Sequence, residues 1–337
     1  MLTGLLVDPR VEGVPDAWER FLTAESVPGT WHGTVLGRLA WLAQAPSYLG
    51  VVLEGSGTPW AIFHLRHLGA SLPRHAFVGP PTRPAAPGLV ECRLPPTGSG
   101  TGYRFASGLD AGERSAALAA IERTLAARLG RRASAIVYRN VPAGDLASFP
   151  RGRICRRVTP EVVVDNRWDD LEAFYADLPS KQRSELRRLD HRLSEGSEVV
   201  VATERTVEPA CASRLAASVV RRHRHRLRRV PPIPASYFDA LGGRAGIEFL
   251  TYREGEGRLL SFATLVDDGS ELSDSVWGSL DVRDGGRPHL YFHHYLRAIR
   301  LLISRRRRRI TLGKGLGRIK LRYAGRYERR HVVGAVL

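Results

Sequence analysis

Lysine is nearly missing from this 337-residue chain, which carries only Lys181, Lys314 and Lys320 beside 48 arginines. Where a solvated positive charge suffices, such a chain writes arginine. A retained lysine marks a place that wants a compact ammonium, which differs from guanidinium in shape, hydration and ease of pKa shift. Methionine occurs once, in keeping with an arginine- and alanine-rich composition shaped by high-G+C coding. Cysteine is scarce too: Cys92, Cys155 and Cys211 are odd in number and far apart, which excludes a disulfide framework and a CxxC metal site. Each reads as a small buried hydrophobe. No apolar run approaches the roughly 18 residues of a membrane helix, and residues 1–9 have neither a basic start nor a long apolar stretch. A cytoplasmic protein with no membrane span and no metal is expected.

Positive charge is present in excess. A net charge of +17 attracts polyanions and speaks to partners rather than to fold. Residues 297–330 hold fourteen Lys and Arg against one acid, Glu328, and so carry +13 of the total. Residues 214–229 hold seven Arg and no acid, with His223 and His225 interleaved at a spacing that makes a poor metal pair. Two of the three lysines lie in Gly313-Lys314-Gly315-Leu316-Gly317-Arg318-Ile319-Lys320, and the third opens Lys181-Gln182-Arg183 after Ser180. Both segments are expected to belong to one site.

The length suggests two domains of about 150 residues. In the first half, 48–53 and 60–65 read as strands around a turn, and 79–96 as an irregular proline-rich loop. A helix at 110–129 is capped by Asp110 and carries an apolar stripe, and a buried strand follows at 133–138. The pattern restarts near Val158. Strand 162–164, an amphipathic segment 168–178, helix 181–193, strand 198–202 and helices 209–227 and 236–241 lead into three strands, 248–253, 259–266 and 272–279. Helix 290–304 and strand 309–312 close the series, and the glycine-rich segment after that strand does not clearly open a helix. The expected fold class is α/β, a mixed sheet with flanking helices, in an N-terminal domain 1–158 and a C-terminal domain 159–337. An internal duplication is plausible because both halves end in helix then strand.

Several motifs, in this order, resemble the duplicated FemAB-like branch of the GNAT-fold acyltransferases. Ser180-Lys181-Gln182-Arg183-Ser184-Glu185-Leu186-Arg187-Arg188 is similar to that branch's S-K-x-R-x-x-[IL]-R-R helix. Tyr237-Phe238, Trp277-Gly278-Ser279 and Leu290-Tyr291-Phe292-His293-His294-Tyr295 follow in order, then Leu312-Gly313 and the run from Gly317 through Lys320 to Gly325. The resemblance covers 171–327 and is weak before it. It implies two fused GNAT-like domains and transfer of an acyl or aminoacyl group to a nucleophile, usually an amine.

Ordinary GNAT enzymes hold coenzyme A pyrophosphate on [RQ]-x-x-G-x-[GA], with backbone N–H groups at a helix start. Here the equivalent place reads Asp281-Val282-Arg283-Asp284-Gly285-Gly286-Arg287-Pro288, with the wrong spacing and two opposing acids. The glycine-rich segment also lacks P-loop spacing. Some FemAB-like proteins instead take their aminoacyl group from tRNA, whose phosphates reward arginine through counterion release. Arg221, Arg222, Arg224 and Arg226, then Arg305, Arg306, Arg307 and Arg322, are the expected tRNA contacts, a merely solvated surface being the alternative. Tyr323 and Tyr327 are available to stack on the acceptor end.

The donor ester is already activated, so positioning, an oxyanion contact and a proton acceptor are what the reaction needs, and no cofactor. Lys320, matching the branch's lysine, is assigned the oxyanion or phosphate contact, and Lys314 a phosphate contact. Lys181, placed where the helix macrodipole disfavours a cation, reads as a ligand contact and shares a helix face with Glu185, Arg188 and Arg192. Asp274 and Tyr291 join Lys320 as catalytic candidates, Trp277 and His293 as substrate-binding ones, with packing the competing role for each. The first reading is an aminoacyl-tRNA-dependent transferase acting on an amine or hydroxyl of a small molecule, as in antibiotic tailoring. The alternatives are an acyl-coenzyme A-dependent N-acyltransferase of the same fold and a non-catalytic RNA-binding protein.

Overall fold

The computed structural model describes residues 1–42, 46–69, 87–96, 100–194, 198–222, 232–255 and 257–337. The chain divides into two compact units. Unit 1 comprises Met1–Val27, Trp31–Pro160 and Glu328–Leu337; unit 2 comprises Pro28–Thr30 and Glu161–Tyr327.

Unit 1 opens with β1 (Thr3–Val7), α1 (Asp16–Ala24) and α2 (Gly33–Leu42), which the patterning above does not single out. β2 (Ser47–Leu53), β3 (Pro59–Gly69), β4 (Gly88–Cys92) and β5 (Tyr103–Phe105) follow. α3 (Ala111–Leu129) then crosses to β6 (Ala133–Pro142), which pairs parallel with β4. The α3 start is as expected: Asp110 accepts from the Glu113 N–H and Glu113 accepts from the Asp110 N–H, a reciprocal cap. β4 corrects the irregular-loop expectation for 79–96, because Leu89 and Val90 pair on both edges, with β3 and with β6. Residues 79–86 lie outside the described residues. One sheet face packs on Leu118, Ile121 and Leu125 of α3, and the other packs Leu49, Val51 and Ile62 against Trp18, Phe21 and Leu36. Cys92 is buried as expected, but Cys155 is exposed.

In unit 2, β7 (Ile154–Asp165) enters at Glu161 and leads to α4 (Leu171–Ala176), α5 (Ser180–Ser194) and β8 (Val199–Glu204). Helices α6 (Pro209–Arg222) and α7 (Ala235–Leu241) precede the meander β9 (Ile247–Glu254), β10 (Arg258–Asp267) and β11 (Glu271–Ser279). α8 (Leu290–Ser304) crosses to β12 (Arg309–Thr311), which runs parallel to β11. α9 (Gly317–Arg322) follows, so the glycine-rich segment does open a short helix. α8 packs Leu296, Ile299 and Leu302 on Val162, Val164, Leu272 and Ile310. α6 approaches β11 at Gly278, where a Cβ would sit 2.8 Å from the Ala216 nitrogen, so only glycine fits.

The two units share one topology. A strand, two helices, three antiparallel strands, a crossover helix and a parallel strand give the order β1-β2-β3-β4-β6 in one and β8-β9-β10-β11-β12 in the other. The sixth position is exchanged along the chain. β7, which follows unit 1, pairs with β12, while the final strand β13 (Arg326–Val336) pairs with β6. Residues Glu328–Leu337, placed in the second domain by sequence, therefore count with unit 1.

A buried histidine makes unit 1 acid-sensitive. His64 on β3 is 3% exposed, with Nδ1 2.6 Å from the Arg93 carbonyl oxygen. Burial pushes its pKa from the ordinary 6.5 down to about 4, against the pull of that carbonyl. Between those values the unfolded chain binds a proton that the folded chain refuses, so stability falls as the pH drops. The share lost is about 3 kcal/mol. Urea unfolding of wild type and His64→Gln from pH 7 to pH 4 should show the wild-type advantage shrinking by that amount. A constant difference would remove His64 as the cause.

Candidate functional site

The site of unit 2 begins where two parallel strands part. β11 and β12 pair only over Glu271–Ser273 and Arg309–Thr311; β11 then runs on to Ser279, while the chain after β12 turns through Gly313 into α9. The β10–β11 register also shifts at this point, Leu265 facing Asp274 and Thr264 facing Val276. A bulge of this kind re-aims the side chains beside it.

Asp274 sits at the fork. Its Oδ2 accepts a hydrogen bond of 2.9 Å from His294 Nε2 on α8, and its Oδ1 is buried with no hydrogen-bond partner among the described residues. The His294 ring is 1% exposed and lies 4.8 Å from the Trp277 ring, and Tyr291 packs edge-on to Trp277 at 5.5 Å. Burial, helped by the Asp274 charge, drives the Tyr291 phenol far above its usual pKa, so it stays a protonated donor.

Lys320 is 3% exposed, and its ammonium donates to the Leu312 carbonyl. Burial lowers its pKa, opposed by the charges of Asp274 and Glu161. Glu161 is itself 1% exposed at the start of the Val162–Val164 run. The glycine that follows the lysine has a steric reason: a Cβ on Gly325 would lie 2.6 Å from the Lys320 carbonyl oxygen, to which the Gly325 N–H donates. Two acids and two bases are thus gathered where water is excluded. A buried charge costs several kcal/mol unless others offset it.

A cavity of about 240 Å³ opens on the other side of α8. From α5 it takes Glu185, Arg188 and Arg192, spaced to share one helix face, over Leu186 and Leu189. His289 and Phe292 come from the α8 start, and Arg322 and Tyr323 from the end of α9. Glu185 pairs with Arg322 at 3.2 Å, and that guanidinium lies 5.6 Å from the Tyr323 ring centroid. Arg188 and Arg192 are exposed and have no carboxylate partner among the described residues. The Tyr295 hydroxyl donates to the Tyr323 carbonyl and ties α8 to α9.

The two segments expected to share a site meet here, through α5 and α9, but not by all the residues named. Asp274, Trp277, Tyr291 and Lys320 come together. Lys181 is exposed in the first turn of α5 and Lys314 is half-exposed; neither lines the cavity. His293 turns from the fork toward Tyr252, 3.1 Å away, and Asp190, 3.4 Å away, which corrects its substrate-binding assignment. Tyr323 is 3% exposed and cannot offer a stacking face to an open surface; Tyr327 is 50% exposed.

The arginine runs are corrected further. Arg305 pairs with Glu248 at 2.6 Å and Asp267 at 3.3 Å, Arg307 with Asp267 at 2.9 Å, and Arg308 and Arg309 with Glu271. Arg222 donates to the Ser279 carbonyl and hydroxyl and faces Asp281 at 3.5 Å. Arg221 and Arg306 remain exposed and Arg322 is shared with Glu185, while Arg224, Arg226, His223 and His225 lie outside the described residues. Sequence reasoning missed Glu161, Asp190, His289 and Phe292. Only Glu161 carried a signal, as a lone acid before three valines.

Among the described residues no group of three His, Cys, Asp or Glu is placed to hold a metal, and no helix is long and apolar enough to cross a membrane. No protein-family model matches the chain, and no curated protein matches its sequence. Solved structures do match. L-PGS from Bacillus licheniformis aligns over 95% of this chain and 91% of its own with TM-score 0.59 and 11% identity. The C-terminal domain of a putative lysylphosphatidylglycerol synthetase from Agrobacterium fabrum aligns over 95% and 91% at TM-score 0.57 and 12% identity. FemX aligns over 90% and 91% at TM-score 0.56 and 11% identity. The chain therefore shares the fold of L-PGS and FemX, two tandem α/β units of the GNAT-like kind that its motifs implied.

Proposed function

We propose that the chain is an acyltransferase that moves an aminoacyl group from aminoacyl-tRNA to an amine or hydroxyl of a small molecule, in antibiotic or other secondary-metabolite tailoring. The observation that carries this reading is the buried Asp274–His294–Lys320 grouping, set across α8 from a cavity walled by three arginines. The fold supports it, since one neighbour is named as a putative synthetase of an aminoacylated lipid.

In the reaction the acceptor nitrogen or oxygen forms a bond to the ester carbonyl carbon, and the bond from that carbon to the ribose oxygen breaks. Lys320 supplies the positive field that favours the carbonyl oxyanion. Asp274, held by His294, accepts the acceptor's proton on Oδ1, the oxygen with no partner among the described residues. The proton taken by Asp274 passes to the departing ribose oxygen, to which Tyr291, kept protonated by burial, donates a hydrogen bond, so both side chains end the cycle as they began.

A coenzyme A donor has less support. In 281–288 the Asp284, Gly285 and Gly286 N–H groups donate to carbonyls of Asp281 and Val282, and the Arg283 N–H donates to the Asp281 carboxylate. Amides spent inside their own turn are not aimed at a pyrophosphate.

Filter binding of aminoacyl-tRNA near physiological salt, with excess acetyl-coenzyme A as competitor, tests the donor. Tight, salt-sensitive binding that prefers charged over uncharged tRNA and ignores the competitor is expected. Loss of binding to acetyl-coenzyme A would put the coenzyme A reading first; indifference to the aminoacyl group would favour a non-catalytic RNA-binding protein. Arg306→Ser should flatten the log–log salt slope by about 0.7–0.9. Arg307→Ser should leave the slope alone, because its charge is already spent on Asp267, and reduce stability instead. Equal slopes for wild type and Arg306→Ser would take Arg306 off the tRNA surface.

A further inference from the structure

We propose that unit 1 docks on an anionic lipid surface through the open face of β4, β6, β13 and the start of β7. This docking is independent of the donor proposed above.

Pattern comes first. Residues paired across strands share a sheet face, and successive residues along a strand face opposite ways. Val90, Ile136 and Ala335 lie side by side and pack in the core under α3. Leu89, Ala135 and Val336 therefore form a row on the other face, and Val137 and Gly334 lie in the next row. Ile154 extends that second row, because a Cβ on Gly334 would lie 3.9 Å from the Ile154 Cβ. α1 and α2 cover this face over β1 to β3, where Trp18, Phe21 and Leu36 meet Leu49, Val51 and Ile62. Beyond that cover Leu89 is 42% exposed, Ile154 67% and Val336 86%. Aliphatic rows left open to water mark an interaction surface.

Charge comes second. Arg131 and Arg132 precede β6, Arg151 precedes β7, and Arg156 and Arg157 lie in its first turn of alternation after Ile154. The register gathers these strand starts at one end of the sheet, on either side of the end of β13. All five arginines are exposed and have no carboxylate partner among the described residues. Glu91, on the open face, is buried between Arg66 at 3.2 Å and Arg139 at 2.9 Å, two cations for one anion.

Pattern and charge together select the occupant. A second copy of the chain would set one arginine rim against another, and like charges brought together repel. RNA would meet the arginines but gain nothing from Leu89, Ile154 and Val336, which offer no ring for a base to stack on. An anionic bilayer answers both features. The aliphatic side chains enter the headgroup boundary, while arginine stems lie along it and their guanidinium groups reach phosphate.

The test is co-sedimentation of the full chain with vesicles of equimolar phosphatidylserine and phosphatidylcholine, beside vesicles of phosphatidylcholine alone. Wild type, R151S/R156S and I154S are compared; all three side chains are exposed, and an unchanged melting temperature checks the fold. Wild type is expected to bind the anionic vesicles and to leave the neutral ones. R151S/R156S should weaken that binding about 25-fold, at about fivefold per arginine near a charged surface. I154S should weaken it even at high salt, where the contribution of charge is screened. No binding to anionic vesicles, or equal binding by wild type and both variants, would overturn the proposal. Uncharged tRNA is titrated against the same proteins. An equal loss for tRNA and vesicles in R151S/R156S, with I154S like wild type, would make this a general polyanion surface and overturn the lipid assignment. A concentration-dependent dimer of the protein alone, lost in I154S, would assign the face to a second copy instead.

Discussion

Lys320→Met should lower the stability of the fold by about 3 kcal/mol, because removing one charge from a buried, mutually offset group leaves the others uncompensated. In unit 2 those others are Asp274 and Glu161, and the Leu312 carbonyl also loses its donor. At roughly 2–4 °C per kcal/mol for a unit of this size, thermal unfolding should begin about 6–12 °C lower. With only 3% of its surface exposed, this lysine cannot be removed without cost to the fold. The pH dependence gives a second, independent reading. Burial holds the folded pKa below the ordinary lysine value of 10.5, so across that interval the unfolded chain binds the proton more tightly. Wild-type stability relative to Lys320→Met should therefore rise as the pH climbs from the depressed value to 10.5. Transfer, assayed well below the lowered melting point, should be lost. A melting shift within 2 °C, or full turnover, would put Lys320 outside the role assigned to it.

Asp274→Asn should cut single-turnover transfer by about 10²–10⁴-fold, the usual worth of a positioned proton acceptor. The substitution is chosen because it separates chemistry from support. An asparagine oxygen can still accept from His294 Nε2, so the 2.9 Å contact and the Trp277–His294 packing are kept while the basic oxygen is lost. A residue that only positions its neighbours would show a rate within a few-fold of wild type and an unchanged pH profile. Loss of rate with KM unchanged is the signature expected of a proton acceptor. A rate and profile like the wild type would leave the fork with another base, or none.

Both predictions concern groups that local sequence could rank but not orient. His293 and His294 are adjacent and alike in sequence. On α8 they point to different neighbours, one to Tyr252 and Asp190, the other to Asp274. The arginines after α8 look in sequence like an open basic surface. In the fold the ends of β9, β10 and β11 bring Glu248, Asp267 and Glu271 against them, and the charge is largely offset in place.

The amino-acid sequence by itself determined what depends on near neighbours. The cap at Asp110 and Glu113, the α5 face shared by Glu185, Arg188 and Arg192, the meander before α8 and the crossover to β12 all rest on contacts a few residues apart or on simple periodicity. Only the tertiary structure decided which strand returns to which sheet, which arginines are already paired, and that Lys320 turns inward to the Leu312 carbonyl. Those outcomes depend on groups far apart in the chain, such as Arg305 and Glu248, and a side chain carries no mark of a partner that folding has yet to bring to it.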